Sequence, residues 1–285
     1  MGISTSTAAL LCRARQRGAR FDRTVTIGRM SLHVPLKDVD RLARSVGIVG
    51  LDGSRFTGDG FADDFIRLVL GASSVTAVDV VAYQGAQIVH DLNRPIDPSL
   101  HHAFDTVIDG GTLEHVFDVK QALANYMNLV KCGGDVFIIT PANNLYGHGF
   151  YQFGAELFCR VFDASNGFAV QDLVLVESPF VSVSASRRQH LFQIDDPAMS
   201  GKRVHLVNEK PTLLFVHARR VSDEPPFRTP PFQSDYAAKW HGRPPHEIGS
   251  TGFSYLTGWQ ELRRTWKQRR SKSLRNRRAF RRLEL

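Results

Sequence analysis

Four short stretches combine acidic or glycine residues with a position directly after an apolar, β-branched run. They are Gly28-Arg29, Asp79-Val80, Asp91-Leu92 and the run from Asp109 through Gly110 to Thr112. Carboxylates in such places accept hydrogen bonds from hydroxyl and amino groups and attract cations. Ligands of open α/β sheets bind beyond the carboxyl ends of the strands, where these stretches would lie. The sequence therefore predicts a ligand site at these positions.

The turn after the first predicted strand argues against a dinucleotide or ATP. It reads Ile27-Gly28-Arg29-Met30-Ser31 and lacks the G-x-G-x-x-G fingerprint whose bare backbone accommodates a pyrophosphate. The ribose-binding acid of such sites follows about 20 residues later, whereas Asp79 follows Gly28 by 51 residues, and no P-loop motif occurs. A nucleoside ligand without phosphates escapes these objections. S-adenosylmethionine, with ribose hydroxyls, an adenine and a sulfonium cation, is such a ligand.

The elements that must position these residues alternate between strand and helix. Apolar and β-branched runs predict seven strands, at 24–28, 75–81, 87–91, 104–109, 135–140, 168–176 and 212–217. Apolar residues at helical spacing predict helices at 7–19, 36–46, 61–70, 116–131 and 154–163. This alternation favours a Rossmann-like, doubly wound α/β fold with a mostly parallel, seven-stranded sheet. The last two strands have no long helix between them, so we expect them to form an antiparallel edge.

Composition divides the chain into four parts. Residues 1–22 are expected to form an N-terminal helical segment, and residues 23–221 the main domain. Six of the thirteen prolines lie between Pro225 and Pro245, so residues 222–255 are predicted to be a linker or arm. Residues 256–285 are predicted to form a basic, helical C-terminal extension. The last 25 residues contain eleven Lys or Arg and two Glu, whereas the whole chain carries a net charge of +8.

Several motifs together resemble class I S-adenosylmethionine-dependent methyltransferases. They are Asp79 at the end of VTAVDV, the run His90-Asp91-Leu92-Asn93, FDTVIDGGTLEHV from Phe104, and GGDVFIITPANN from Gly133. More narrowly, TIGRM, HDLNRPI, GTLEHVF and GHGFYQF resemble a bacterial group of methyltransferase-domain proteins, some of which are associated with surface-glycan clusters. The resemblance covers about residues 10–220.

The resemblance implies which residues hold the cofactor. It implies Gly28 and Arg29 in the first glycine turn, Asp79 and Val80 at the ribose, Asp91 and Leu92 at the adenine, and Asp109, Gly110 and Thr112 along the methionine and sulfonium side. Asp91 in a plain turn and Asp109 as a helix cap are the structural alternatives.

One departure from the family concerns the first turn. The family carries a G-x-G there, whereas this chain has Gly28-Arg29-Met30, followed by an insertion of roughly 30 residues at 31–60. Arg29 could replace the missing contact by a salt bridge to the methionine carboxylate.

The resemblance implies a transferase that methylates a small-molecule or glycan acceptor, with oxygen preferred over nitrogen. His148 lies in a glycine-flanked loop beyond the strand that ends at residue 140 and is the candidate base. His115, beside Glu114, is expected to be structural. The three cysteines form no metal-binding pattern, and no metal is expected. The alternative is a catalytically inactive, methyltransferase-like binding module that uses its basic tail.

The basic tail suits an anionic partner. Trp259, Leu262 and Trp266 recur at helical spacing among arginine pairs. This pattern fits an anionic membrane surface, an RNA or an acidic glycan, and a solvated end would need no partner. No run approaches the roughly 18 to 20 apolar residues of a membrane span. We therefore expect a cytoplasmic protein, with peripheral membrane association as an open alternative.

Overall fold

A mixed β-sheet forms the centre of the computed structural model, which describes residues 2–51, 53–179, 189–200, 204–237, 259, 262–263, 266–267 and 272–285. Within these residues the sheet has nine strands. They are β2 (Arg23–Ile27), β4 (Ser74–Asp79), β5 (Ile88–Val89), β6 (Phe104–Asp109), β7 (Val130–Asn143), β8 (Phe168–Glu177), β9 (His190–Ile194), β10 (Thr212–Arg220) and β11 (Phe280–Leu283).

The order of the strands creates a reversal point next to β2. The order is β5-β4-β2-β6-β7-β10-β8-β9-β11, and the first five strands run parallel to one another. The chain runs from β2 outward to β4 and β5, and then crosses to β6 and β7 on the other side. The strand order therefore reverses between β2 and β6, where ligands of doubly wound sheets bind. The prediction of a Rossmann-like α/β fold is confirmed at this level.

The prediction of seven strands is wrong, whereas the expected antiparallel pairing of the last two predicted strands is observed between β8 and β10. β10 pairs antiparallel with both β7 and β8, so it lies inside the sheet. β9 and β11 then extend the described sheet beyond β8. β10 is an apolar run buried on both faces, as an interior strand must be. β11 contains two arginines in four residues, so its sequence alone does not predict a strand.

Helices cover both faces of the sheet. On one face, α4 (Val119–Leu129) and α5 (Ala155–Val161) bury Tyr126 and Phe158. On the other, α1 (Thr5–Gln16), α2 (Leu36–Ser45) and α3 (Asp63–Leu68) bury Leu11 and Phe65. Each helix turns an apolar side to the sheet, so one hydrophobic core forms on each face, as in a doubly wound fold.

The first 22 residues are part of the main body. β1 (Gly2–Ser4) pairs in parallel with β3 (Ser31–His33), a strand within the insertion that follows the first turn. α1 buries Leu10, Leu11 and Cys12, so it packs as a core helix. The helix expected in residues 1–22 is thus observed as α1, and it packs together with the residues that follow.

The arm and the tail are only partly described. Thr229 donates its backbone N–H to Asn166 Oδ1 at 2.9 Å, which fastens the start of the arm to the domain. The rest of the arm, residues 238–255, lies outside the described residues. In the tail, residues 259, 262–263 and 266–267 are helical, but 280–283 form β11, so the helical prediction fails there. None of the described helices has the length and apolar character to cross a bilayer.

Candidate functional site

Three predicted cofactor residues meet where the strand order reverses. Gly28 directly follows β2 with φ +71°, and a Cβ there would lie 3.4 Å from Thr112 Oγ1 and 3.8 Å from Asp79 Oδ2. Thr112 donates its hydroxyl to the Ile27 carbonyl at 3.1 Å, which joins the ends of β2 and β6. Gly28, Asp79 and Thr112 therefore lie together, and their contact with a cofactor stays a prediction.

Asp79 presents one carboxylate oxygen to this turn. It is the last residue of β4 and is half-buried, while the next residue, Val80, is exposed. Asp79 Oδ1 accepts the Val80 N–H at 2.7 Å, and Oδ2 faces Gly28. The carboxylate can therefore accept hydrogen bonds from ribose hydroxyls while the backbone N–H of Val80 holds it in place.

The charge of Arg29 is balanced within the protein. Its guanidinium lies 2.9 Å from the Asp59 carboxylate and 3.3 Å from that of Asp63, and it stacks over the Phe61 ring at 3.9 Å. Its Nη1 also donates to the Gln84 carbonyl at 3.0 Å. One cation between two carboxylates does not attract a third carboxylate. The geometry thus favours a fastening role for Arg29 over the salt bridge to the ligand predicted from the sequence.

Asp91 and Leu92 follow β5 in a tight turn. Asp91 Oδ1 accepts the Asn93 backbone N–H at 3.0 Å and the Asn93 side-chain amide at 2.8 Å. The backbone bond from Asn93 lowers the pKa of Asp91. The Leu92 side chain is buried in the core below the turn. Their contact with an adenine stays a prediction.

Asp109 is a buried structural carboxylate. Its Oδ1 accepts the N–H groups of Gly111 and Thr112 at 2.8 and 2.7 Å, and its Oδ2 accepts the Leu113 N–H at 3.0 Å and the Tyr126 hydroxyl at 2.9 Å. Burial raises the pKa of Asp109, and the four donors oppose that rise. Asp109 is 0% exposed, and its hydrogen bonds shape the loop from Gly111 to Leu113. This geometry favours the capping role for Asp109, and its contact with a cofactor stays a prediction.

Gly110 is needed for packing beside that loop. A Cβ at this position would overlap the Met30 side chain, which belongs to the turn after β2. The two loops at the reversal point therefore touch closely.

Glu114, His115 and His148 form a cluster that the sequence analysis did not assemble. Glu114 Oε1 lies 3.9 Å from His115 Nε2 and 3.7 Å from His148 Nε2, and the two imidazole rings are 5.2 Å apart. Thr140 donates its hydroxyl to Glu114 Oε2 at 3.0 Å. Burial, followed by the nearby Asp109 carboxylate, raises the pKa of Glu114 to about 8. Burial, followed by the nearby His148, lowers the pKa of His115.

Exposed aromatic side chains lie within two residues of His115 and His148 along the chain. Phe117 and Phe150 pack edge to face at 6.2 Å, and Tyr146 is also exposed. The Tyr151 hydroxyl donates to the Phe117 carbonyl at 2.9 Å. Exposed rings of this kind offer stacking surfaces for a planar or sugar-like molecule.

The clearest cavity is separate from the reversal point. It has a volume of about 280 Å³ and is lined by Ala142, Phe153, Glu156 and Leu214 among others. None of the residues predicted to hold a cofactor lines it.

Glu114 of the cluster and its hydrogen-bond partner Thr140, which sequence reasoning undervalued, had detectable signals. Glu114 directly precedes a histidine after a predicted loop, and Thr140 is the polar last residue of the apolar run VFIIT. A single sequence does not show that these positions meet, because β6 and β7 must first pair in parallel.

Comparisons with known proteins give similarities of structure only. The chain matches no protein-family model and no curated protein. It is similar to 1,6-didemethyltoxoflavin-N1-methyltransferase from Burkholderia thailandensis, solved with its substrate and S-adenosylhomocysteine, at 13% identity and a TM-score of 0.39 over 76% of this chain and 78% of that one. A putative methyltransferase from Bacillus halodurans gives 10% identity and a TM-score of 0.41 over 75% and 99%.

A third similar structure is that of an rRNA methyltransferase. It is the 16S rRNA (adenine(1408)-N(1))-methyltransferase from Catenulisporales acidiphilia, at 12% identity and a TM-score of 0.36 over 78% and 94% of the two chains. At TM-scores below 0.5, these likenesses assign no function to this chain.

Proposed function

We propose that the protein is an S-adenosylmethionine-dependent methyltransferase that methylates an oxygen of a small-molecule or glycan acceptor. The observation that carries the proposal is the meeting of Gly28, Asp79 and Thr112 at the reversal of strand order. A bare glycine at φ +71°, beside a carboxylate oxygen and a hydroxyl, suits the close approach of a ribose.

The charge at the strand ends favours this ligand over a phosphorylated one. Asp59, Asp63, Asp79 and Asp91 lie on the loops and strand ends of this region, and Arg29 is paired with the first two. Phosphates would meet carboxylates there, whereas a sulfonium cation is attracted.

The residues then divide by role. Asp79 and Val80 would hold the ribose, Asp91 and Leu92 would lie on the adenine side, and the backbone from Gly110 to Thr112 would line the methionine side. Asp109 acts through its hydrogen bonds to that backbone. The cofactor would supply a methyl group carried on sulfur.

The Glu114–His115–His148 cluster is assigned to the acceptor. It follows Thr112 by only two residues, so it lies beside the proposed cofactor site, and the exposed aromatic side chains near it along the chain suit a sugar or other ring. His148 remains the candidate base for an acceptor hydroxyl, and its Nε2 lies 3.7 Å from Glu114 Oε1.

Calorimetric titration with S-adenosylmethionine and S-adenosylhomocysteine tests the proposal. We expect micromolar binding of either ligand, weakened about 10- to 100-fold by Asp79→Ala because a charge-assisted hydrogen bond is lost. Asp22→Ala is the matched control, because this exposed acid lies at the opposite end of β2. Unchanged affinity in Asp79→Ala would refute the placement of the ribose.

The catalytically inactive binding module remains the second candidate, favoured by one observation. Arg29 is neutralised by Asp59 and Asp63, so the first turn offers no free cation for the methionine carboxylate. A folded protein that gives no heat with either ligand, yet binds RNA or anionic vesicles only when residues 256–285 are present, would establish this candidate instead.

A further inference from the structure

We propose that Glu114, His115 and His148 bind a divalent first-row transition-metal ion, of the class of Zn²⁺, Mn²⁺ or Co²⁺. The binding of the ion stands on the geometry of these three residues alone. Its use in holding an acceptor oxygen rests on the proposed function and replaces the role of His148 as base, because a metal-bound Nε2 cannot accept a proton.

The spacing of the three ligand atoms fits such an ion. Each residue offers one ligand atom, and the three atoms lie within 4.8 Å of one another, with Glu114 Oε1 at 3.7 and 3.9 Å from the two Nε2 atoms. With metal–ligand distances of about 2.0–2.2 Å, neighbouring ligands in a tetrahedral site are about 3.4 Å apart. The two edges at the carboxylate therefore need to shorten by about half an ångström or less on binding.

Two buried polar atoms aim into the cluster without a hydrogen-bond partner in the described chain. They are Glu114 Oε1 and His148 Nε2. Glu114 is 0% exposed, while Thr140 occupies its other carboxylate oxygen. Native proteins rarely leave a buried carboxylate oxygen unpaired, because its desolvation is costly. A cation between Oε1 and the two imidazoles would satisfy it.

Backbone contacts hold the cluster in place. The Phe150 N–H donates to the Glu114 carbonyl at 2.7 Å, and the His148 N–H donates to the Leu145 carbonyl at 3.0 Å. Gly149, with φ +81°, lies so close that a Cβ there would be 2.7 Å from the Glu114 carbonyl oxygen. The loop of His148 is thus fastened to the segment that carries the other two ligands, as a preorganised metal site requires.

The cluster is open on one side. The side chains of His115 and His148 are 49% and 37% exposed, whereas that of Glu114 is enclosed. Catalytic metal sites keep such an open position for water or substrate, whereas structural sites are closed by four protein ligands. Two imidazoles with one carboxylate also favour transition metals over Mg²⁺ and Ca²⁺, which prefer oxygen ligands.

The rival explanation is an ion pair between a protonated His148 and the Glu114 carboxylate. Their 3.7 Å separation exceeds hydrogen-bond length, so this pair would leave both atoms without a hydrogen bond. Under this explanation His148 Nε2 carries a proton, and the wild-type chain binds no metal at this place.

The test is titration of the chelator-treated full-length protein with Zn²⁺ by calorimetry and with Co²⁺ by visible absorption. We expect one ion per chain, and a Co²⁺ spectrum typical of low coordination number. Glu114→Gln and His148→Asn should each weaken Zn²⁺ binding at least about 100-fold, more than the loss of an outer hydrogen bond would. His148→Asn changes a partly exposed loop residue, so the proposal can still be tested with this variant if the substitution at the buried Glu114 prevents folding.

His190→Asn is the matched control. His190 Nδ1 faces the Glu177 carboxylate at 3.5 Å, but among the described residues this pair belongs to no three-ligand group. The control should bind Zn²⁺ as the wild type does. Absence of Zn²⁺ and Co²⁺ binding by the folded wild type overturns the proposal. Zn²⁺ affinity of Glu114→Gln and His148→Asn equal to that of the wild type overturns it as well.

A separate titration distinguishes this failure from failure of the proposed function. S-adenosylhomocysteine is titrated in the presence of a chelator, because the residues assigned to it do not include the cluster. Binding of this ligand without any metal binding would leave the proposed function intact and reject the metal site. Binding of the metal without binding of S-adenosylhomocysteine would support the metal site and reject the proposed function.

Discussion

The Thr112 hydroxyl donates a hydrogen bond to the Ile27 carbonyl at 3.1 Å, across the point where the strand order reverses. This bond ties the loop after β6 to the turn after β2. Thr112 Oγ1 also lies 3.4 Å from where a Cβ at Gly28 would stand. The shape of the proposed ribose site therefore depends on both loops together.

We predict that Gly28→Ala weakens S-adenosylhomocysteine binding at least tenfold. The new methyl group would contact Thr112 and Asp79, and an L-residue at φ +71° is strained by about 1 kcal/mol or more. Gly47→Ala is the matched control, because Gly47 has φ +82° and nothing within 4 Å of its added Cβ. Calorimetry on both variants separates the strain they share from the contact that only Gly28 makes. Equal binding losses in both would contradict the assignment.

Asp109→Asn should destabilise the fold by roughly 3 kcal/mol, because a buried carboxylate that accepts four hydrogen bonds would be replaced by a group with one acceptor oxygen. The free energy of unfolding measured by urea denaturation checks this. Asp22→Asn, an exposed acid paired only loosely with Arg20 at 3.6 Å, should change it by less than about 0.5 kcal/mol. A loss of ligand affinity in Asp109→Asn with unchanged stability would instead make Asp109 a direct ligand.

The parallel half of the sheet could be read from the sequence because its signals are local. The run 104–109 is observed at the predicted bounds, and the predicted 24–28 and 75–81 are observed as β2 and β4 within two residues at each end. Apolar runs that end at an acid or glycine mark both the strand and the edge at which its last side chain lies. Asp79 and Gly28 were found for this reason.

The features that the sequence did not predict depend on contacts between segments that are distant along the chain. β11 pairs with β9 although its sequence is half arginine, and Arg29 takes its partners from Asp59 of the insertion and Asp63 at the start of α3. Glu114 and His148 meet only because a loop 34 residues after Glu114 folds back onto the segment that carries it. Composition and periodicity carry no information about such pairings.

The three cysteines should differ strongly in reactivity. Burial raises the pKa of Cys12 to about 11 and that of Cys159 to about 12, whereas Cys132 is exposed. A thiol with pKa 11 is about 0.1% ionised at pH 8, and only the thiolate reacts. Mass spectrometry after brief iodoacetamide treatment should show Cys132 modified at least tenfold faster. All three should react alike in urea, and similar rates in the native protein would contradict the burial of Cys12 and Cys159.

Arg29→Ala should loosen the insertion more than it weakens ligand binding. Arg29 pairs with Asp59 and Asp63, stacks on Phe61 and donates to Gln84, so its removal leaves two carboxylates close together without their cation. Hydrogen exchange of residues 53–63 should become faster by about tenfold, since exchange of this segment is governed by local opening.

The affinity of Arg29→Ala for S-adenosylhomocysteine should fall less than that of Asp79→Ala, because the arginine charge is already satisfied within the protein. Arg67→Ala serves as control, since this arginine lies in the last turn of α3, the helix that begins at Asp63. If Arg29→Ala abolishes binding while exchange of residues 53–63 is unchanged, then Arg29 binds the ligand carboxylate directly, and the salt bridge expected from the sequence is correct after all.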